Sequence, residues 1–389
     1  MISLSELRTR DSERSFKELT GNSWGVDRAG RDRAIGLAAG GVALASVGLS
    51  SSPATSDCRA ARRAVFWLIV ATACWGVSFP LIKAQGMLSA RLLPGGEGWF
   101  FTAMTVAPRF GLAAVVLLVV RPGLLRGLTR MEWKQGFGLG GFAGLGMLLQ
   151  NDGLHYTEAS TSAFLTQLCA VMIPLWLAWR TRRNPGVVTW LAVGLVLAGV
   201  AVLGRLDVNR LGLGRGEIET LLGSIFFTGQ ILWLERQEFG RNRVFAVTLI
   251  MFVVEACIGF GLAGMSGGSF AAAGLLMSSG AWWTITMALM VICTLGAFLL
   301  MNFFQPRITS TEAGLIYCAE PIFGSVMALF MPLGLSALAG ISYANERATP
   351  TLLLGGGLIT LANVLIQCRP PGQPTLAPSV VTAETADAD

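Results

Sequence analysis

From Phe66 onward, long apolar windows alternate with short polar connections. A helix needs roughly 20 largely apolar residues to cross a bilayer core. Hydropathy predicts ten such helices, at 66–85, 101–120, 135–150, 159–179, 187–203, 218–234, 244–262, 283–304, 313–331 and 351–366. Basic residues test that count, because Lys and Arg gather in cytoplasmic connections. Arg59, Arg62 and Arg63 precede the first helix, and the second connection carries Arg121, Arg126, Arg130 and Lys134. The fourth holds Arg180, Arg182 and Arg183, the sixth Arg236, Arg241 and Arg243, the eighth Arg307, and Arg369 follows the last helix. The odd connections hold only Arg91, Arg205, Arg210, Arg215 and Arg347. The alternation puts both termini in the cytoplasm.

The two halves echo one another. Tyr156-Thr157-Glu158-Ala159 leads into Pro174 inside the fourth helix, and Ser310-Thr311-Glu312-Ala313 leads into Pro321 inside the ninth. Cys169-Ala170 and Cys318-Ala319 fall in register with that echo, and Gly194-Leu195 resembles Gly357-Leu358. Each half has five helices, an odd number, so the second enters the membrane from the opposite face. Inverted repeats suit alternating access to a central site. The expected organisation is a polar tail over 1–62, a first repeat over 63–204, a linker over 205–216, a second repeat over 217–368 and a second tail over 369–389. The apolar stretch 35–49 inside the first tail is short for a span, and a targeting role for this Arg- and Ser-rich tail is opposed by its many acids. The uncharged seventh connection, 263–281, is expected to lie along the outer surface.

Composition agrees with lipid as the solvent of the fold. Hydrophobic residues make up 53% and charged residues 13% of the chain, whereas soluble domains carry about a quarter charged residues. The net charge of +6 sits in the connections and reads as topology, so no nucleic-acid partner is expected. Seven scattered cysteines and one histidine, His155, give neither a disulfide framework nor a metal site. No cofactor is implied.

Trp75-Gly76 with Lys83, Arg109, the run Leu154-His155-Tyr156-Thr157 followed by Ala163-Phe164-Leu165-Thr166 and Pro174, and Glu320-Pro321 together resemble the EamA-type members of the drug/metabolite transporter superfamily. The resemblance covers about 65–367. It implies a ten-helix inverted-repeat carrier, commonly an exporter of metabolites such as amino acids. Family repeats often place a Glu just after their fourth helix. Here the first repeat has Arg180, Arg182 and Arg183, and the second has Met331-Pro332-Leu333-Gly334, with Glu346 further on.

Ionisable side chains at bilayer depth are costly, so each is a functional candidate. Lys83, Arg109, Glu255 and Glu320 stand out. Glu320 reads as a substrate-facing or protonatable carboxylate beside Pro321, or as an acid pinning helices together. Glu255 reads as a second coupling acid or as a partner of a neighbouring helix. Lys83 reads as a substrate contact or as a snorkelling amine. The fixed guanidinium of Arg109 suits a carboxylate or phosphate. Trp75, Gln167, Gln230 and Asn302 complete the expected binding set, with Gln150, Asn151 and Gln305 as further polar candidates. Gly136, Gly140 and Gly144 form a stripe for close helix approach, and His155 a surface or capping residue.

The leading expectation is a secondary carrier, not an enzyme, because no Walker-type phosphate loop is present. A zwitterionic or anionic metabolite would lie between the repeats, its acid near Arg109 or Lys83 and any amine near Glu320 and Trp75. A membrane-embedded enzyme lacks the paired Asp or His clusters such chemistry uses, and a structural or sensory protein has no need of inverted repeats. The expected partners are a small-molecule substrate, the lipid bilayer and a second copy in a homodimer. The bacterial inner membrane is the expected location, with a plastid envelope as the alternative.

Overall fold

A computed structural model describes residues 53–182, 184, 186–203, 213–308 and 310–367. The stretch 35–49, most of both tails and most of the linker lie outside the described residues. Every element among the described residues is helical. In chain order they are α1 (Pro53–Leu92), α2 (Gly98–Val120), α3 (Arg130–Gly153), α4 (Ala159–Thr166), α5 (Leu168–Thr181), α6 (Val187–Leu203) and α7 (Arg215–Leu234). There follow α8 (Val244–Met265), α9 (Phe270–Met277), α10 (Gly280–Ala288), a π-helical segment (Leu289–Gly296), α11 (Ala297–Phe304), α12 (Ser310–Tyr317), α13 (Glu320–Ala339) and α14 (Pro350–Gln367). Short 3₁₀ turns lie in the second, sixth and eighth connections.

Among the described residues, six helical runs are long and apolar enough to cross a membrane: Arg62–Leu92, Gly98–Val120, Ala159–Arg180, Val244–Met265, Gly280–Arg307 and Glu320–Ala339. Two shorter apolar helices, Val187–Leu203 and Pro350–Leu365, join them. The protein is therefore an all-α integral membrane protein. Two of the expected spans, α3 and α7, fall outside both sets. Their polarity has a structural outlet, because α3 packs along α7 and α8. Gln150, Asn151 and Asp152 of α3 and Thr220, Ser224, Thr228 and Gln230 of α7 are buried among neighbouring helices.

Local chemistry sets several helix ends. Thr129 accepts from the Glu132 backbone while the Glu132 side chain accepts from the Thr129 backbone, a reciprocal cap that starts α3. Ser269 and Ser279 cap α9 and α10. Gly340 ends α13 at φ +62, a left-handed conformation that suits glycine. The uncharged seventh connection carries α9, which begins at the almost fully exposed Phe270.

The helices pack in a regular set of pairs. α2 lies on α8, α6 on α14, and α4 on α13. α3 packs on α7 and α8, while the π segment with its flanking helices packs on α1 and α2. α13 packs on α1, and α4 and α5 pack on α7. The α3 glycine stripe works as expected. A Cβ on Gly136 would stand 2.5 Å from the Ile250 Cβ, and one on Gly140 would stand 2.7 Å from the Met251 carbonyl oxygen of α8. Gly141, off the stripe, has nothing within 4 Å.

Arg243 locks the α3–α8 contact at one end. Its Nε donates to Glu132 Oε1 at 2.7 Å and its Nη2 to Oε2 at 3.0 Å, and its backbone N–H adds a third bond at 3.1 Å. Its remaining donors reach the carbonyls of Arg126 and Gly127. This fork holds the Glu132 carboxyl down at about 2. Glu132 lies just before the expected third span.

Two outcomes follow from these contacts. G140V should lower the thermal unfolding temperature in detergent by the equivalent of about 1–3 kcal/mol of overpacking, while G141A should leave it nearly unchanged. The folded Glu132 value is below the ordinary 4.5, so the ion pair stabilises fully above about pH 4.5 and its contribution fades as pH falls towards 2. R243Q should remove that acid-side dependence, measured as melting temperature against pH for both proteins.

Candidate functional site

Two spans expected to be continuous are broken in their middles. The fourth stops at Thr166 and resumes at Leu168, and Gln167 between them donates its N–H to Phe164 in a 3₁₀-type bond of 3.1 Å. The ninth stops at Tyr317 and resumes at Glu320. Pro321 accounts for the second break, since it has no N–H to offer the Tyr317 carbonyl one turn back. Pro174 lies within α5, downstream of the first break, and does not account for it. The two breaks meet: Gln167 Nε2 donates to Glu320 Oε2 at 3.2 Å.

Around this junction the structure gathers further side chains. Tyr317 donates its hydroxyl to Gln305 Oε1 at 2.7 Å, which leaves Gln305 Nε2 without a partner. The Trp75 ring lies 5.6 Å from the Tyr317 ring and 5.5 Å from Phe298, both edge-on, and its buried N–H has no partner. Gly76 explains why tryptophan can sit there. A Cβ on Gly76 would stand 2.6 Å from Phe323 Cβ and 2.8 Å from the Gly324 nitrogen, so the backbones of α1 and α13 touch at this point. Gln167 Oε1 and Ser325 Oγ are also buried without partners. The junction thus offers one half-buried carboxylate, several unspent amide and hydroxyl groups and an aromatic face. Groups of this kind can hydrogen-bond an amine or another polar head.

Arg109 and Glu255 form a separate centre. Each is fully buried, and each is the twelfth residue of its helix, counted from Gly98 and from Val244. Glu255 and the Cys293 thiol lie near Arg109, yet the carboxylate is not within ion-pair distance among the described residues. The guanidinium lies over the Phe110 ring at 4.8 Å and donates to Met147 Sδ at 3.8 Å. Its Nε and Nη1, and both Glu255 oxygens, have no hydrogen-bond partner. Rings lead from there towards the junction: Phe110 stands 6.0 Å from Phe298, which touches Trp75. Cys293 belongs to the π segment, which thus lies close to Arg109.

Lys83 lies in a third place. It donates to the Thr157 carbonyl at 2.8 Å and to Glu158 at 3.3 Å, with the Tyr343 ring 5.9 Å away. Asn302 donates to Thr248 Oγ1 at 2.9 Å, tying α11 to α8. Gln230 is buried in α7 with its Nε2 free of partners. His155 is half-buried with its ring against Gly86. Of the expected set, Trp75, Gln167 and Glu320 come together, Arg109 and Glu255 lie near each other but apart from them, and Lys83, Gln230 and Asn302 stand individually.

Two clusters near Lys83 were not expected as sites. Arg215 at the start of α7 bonds Asp152 at 2.5 Å, Glu219 at 2.7 Å and the Tyr156 hydroxyl at 2.9 Å. Glu346 reaches back across the sequence to the α4 N-terminus, accepting from the Ala159 N–H at 2.8 Å and from Ser160. Burial pushes the Glu346 carboxyl above its ordinary range. Arg215 and Glu219 were visible as an i,i+4 pair. Glu346 had no local signal, because its partner is distant in the chain.

Residues 62–205 match the EamA-like transporter family. The first part of the chain is thus similar to this family. An "Uncharacterized transporter" of Archaeoglobus fulgidus is 23% identical over 304 residues, covering 76% of this chain and 82% of that protein. A solved structure titled "Crystal structure of protein" aligns with 17% identity and a TM-score of 0.47, covering 76% of this chain and 95% of the other. The chain is a multi-pass membrane protein whose first part is similar to a transporter family.

Arg109 and Glu255 do not touch, yet each offsets the other's buried charge, so removing one leaves the other uncompensated whereas removing both leaves neither. R109M and E255M should each destabilise the purified protein strongly, and R109M/E255M should be more stable than either. Melting temperatures of the four proteins check this through a double-mutant cycle.

Proposed function

We propose that the protein is a secondary carrier of a small organic solute, an amino acid or a related amine-bearing metabolite, working by alternating access. The single observation that carries this reading is the meeting of two broken helices at Gln167 and Glu320. Interrupted helices within a membrane supply backbone and side-chain polar groups at depth, which is how carriers build solute sites. Glu320 takes the solute's amine and also serves as the proton-coupling acid. Trp75 packs against the solute's apolar part, and Gln167 orients the Glu320 carboxylate. Arg109 and Glu255 balance each other's charge beside the π segment, with Glu255 as a second candidate for proton coupling. Lys83, Gln230 and Asn302 contribute through the walls of the bundle.

The same reading takes the chain as ten spans in two inverted repeats, 63–204 and 217–368, joined by a linker over 205–216. Its support is the pairing of helices. Exchanging each span of one half for the corresponding span of the other turns α3 on α7 into the eighth span on α1, and α13 on α1 into α4 and α5 on α7. It leaves α2 on α8, α6 on α14 and α4 on α13 unchanged. All of these contacts occur, and the family match over 62–205 coincides with the first repeat. The bacterial inner membrane is the proposed location.

Reconstituted into liposomes, the wild-type chain should exchange members of a radiolabelled amino-acid panel down an imposed gradient. E320Q should cut the initial rate at least tenfold, the size expected for removing a charge-assisted bond to the solute of about 1.5–3 kcal/mol. W75A should raise the half-saturating concentration, and R236Q, in an exposed connection, should change nothing. Wild-type rates in E320Q liposomes would sink the assignment.

A further inference from the structure

At the end of the bundle where α2 stops and α8 starts, an open groove of about 550 Å³ lies outside the solute site. Leu124, Val244, Phe245 and Phe303 line it together with Arg121 and Arg243. Two of its rings support guanidinium groups. Arg121 Cζ stands 4.3 Å from the Phe245 centroid, and Arg307 Cζ stands 4.1 Å from Phe303 and 5.1 Å from Phe304. Arg243 is already engaged by Glu132. Neither Arg121 nor Arg307 enters an ion pair among the described residues. Their charges are therefore held in place by aromatic faces and remain unneutralised.

The surroundings say which way this groove opens. Val119 and Val120 of α2, Leu125 and Phe303 are exposed, at 75%, 69%, 58% and 39%. On a membrane helix, exposed aliphatic surface of this kind faces acyl chains. The groove therefore has an apolar flank towards lipid and a cationic rim at the depth of headgroups. Arg126 and Arg130 add charge to the same connection. A guanidinium presents a planar fork that matches a phosphate, and basic pockets between helices on the cytoplasmic side suit anionic headgroups.

We propose that this groove binds one anionic glycerophospholipid, its phosphodiester held at Arg121 with Arg307 at the rim, and an acyl chain lying along Val244 and Phe303. The site does not depend on which solute is carried.

The test uses the full chain, delipidated in detergent and given equal amounts of phosphatidylglycerol and phosphatidylcholine, with bound lipid counted by native mass spectrometry. The wild type should retain phosphatidylglycerol in preference. R121Q should lower that preference about fivefold and R121Q/R307Q about 25-fold, the size of one basic residue's attraction to an anionic surface taken once and twice. Inorganic phosphate at matched concentration should not displace the lipid. Equal retention of the two lipids by the wild type would overturn the proposal, and that comparison stands even if the double variant fails to fold. Full retention by a folded double variant would overturn it too, and displacement by inorganic phosphate would make the groove a free-anion site instead.

Discussion

Inside a bilayer core no water satisfies a backbone N–H or carbonyl, so an interrupted helix must be shielded by protein or line a polar space. That constraint organises this molecule. Its interruptions at Gln167 and between Tyr317 and Glu320 face each other, and a side-chain hydrogen bond joins them. Around them the bundle is kept closed by contacts that need no side chain at all, such as Gly76 against the Gly324 backbone. The polar centre and the small-residue seams are two sides of one solution.

The ends of the bundle are treated differently from its middle. Asp152 with Arg215, and Glu132 with Arg243, are well-made ion pairs in which the buried carboxylate meets a partly exposed arginine. The arginine keeps contact with water or headgroups, so the pair avoids most of the desolvation that makes fully buried pairs weak. Arg109 and Glu255 have no such outlet, and their unspent donors and acceptors sit beside the π segment. Altered winding of this type is common where a helix does functional work.

Much of the fold was legible because the relevant physics is local. Apolar windows marked most helices, and the α3 glycine stripe marked a close contact that α8 fills. Trp75, Gln167 and Glu320 were legible as polar or aromatic residues within or beside apolar windows. What stayed hidden was pairing. Nothing near Arg109 in the chain points to Glu255 as its neighbour, and nothing near Ala159 points to Glu346, because these residues come near each other only after helices pack. The breaks were half legible: Pro321 signals one, while Gln167 interrupts a run that hydropathy reads as continuous. The amphipathic pair α3 and α7 shows the same limit from the other side, since their polarity makes sense only once each shields the other.

The charges at Arg109 and Glu255 occupy the same place on α2 and α8, helices that lie against each other. In the two-repeat reading these are one ancestral position filled by opposite signs. Two copies of the first half alone would press arginine on arginine, and two copies of the second would press carboxylate on carboxylate. On that reading neither half could replace the other, and a chain split at the linker would need both pieces.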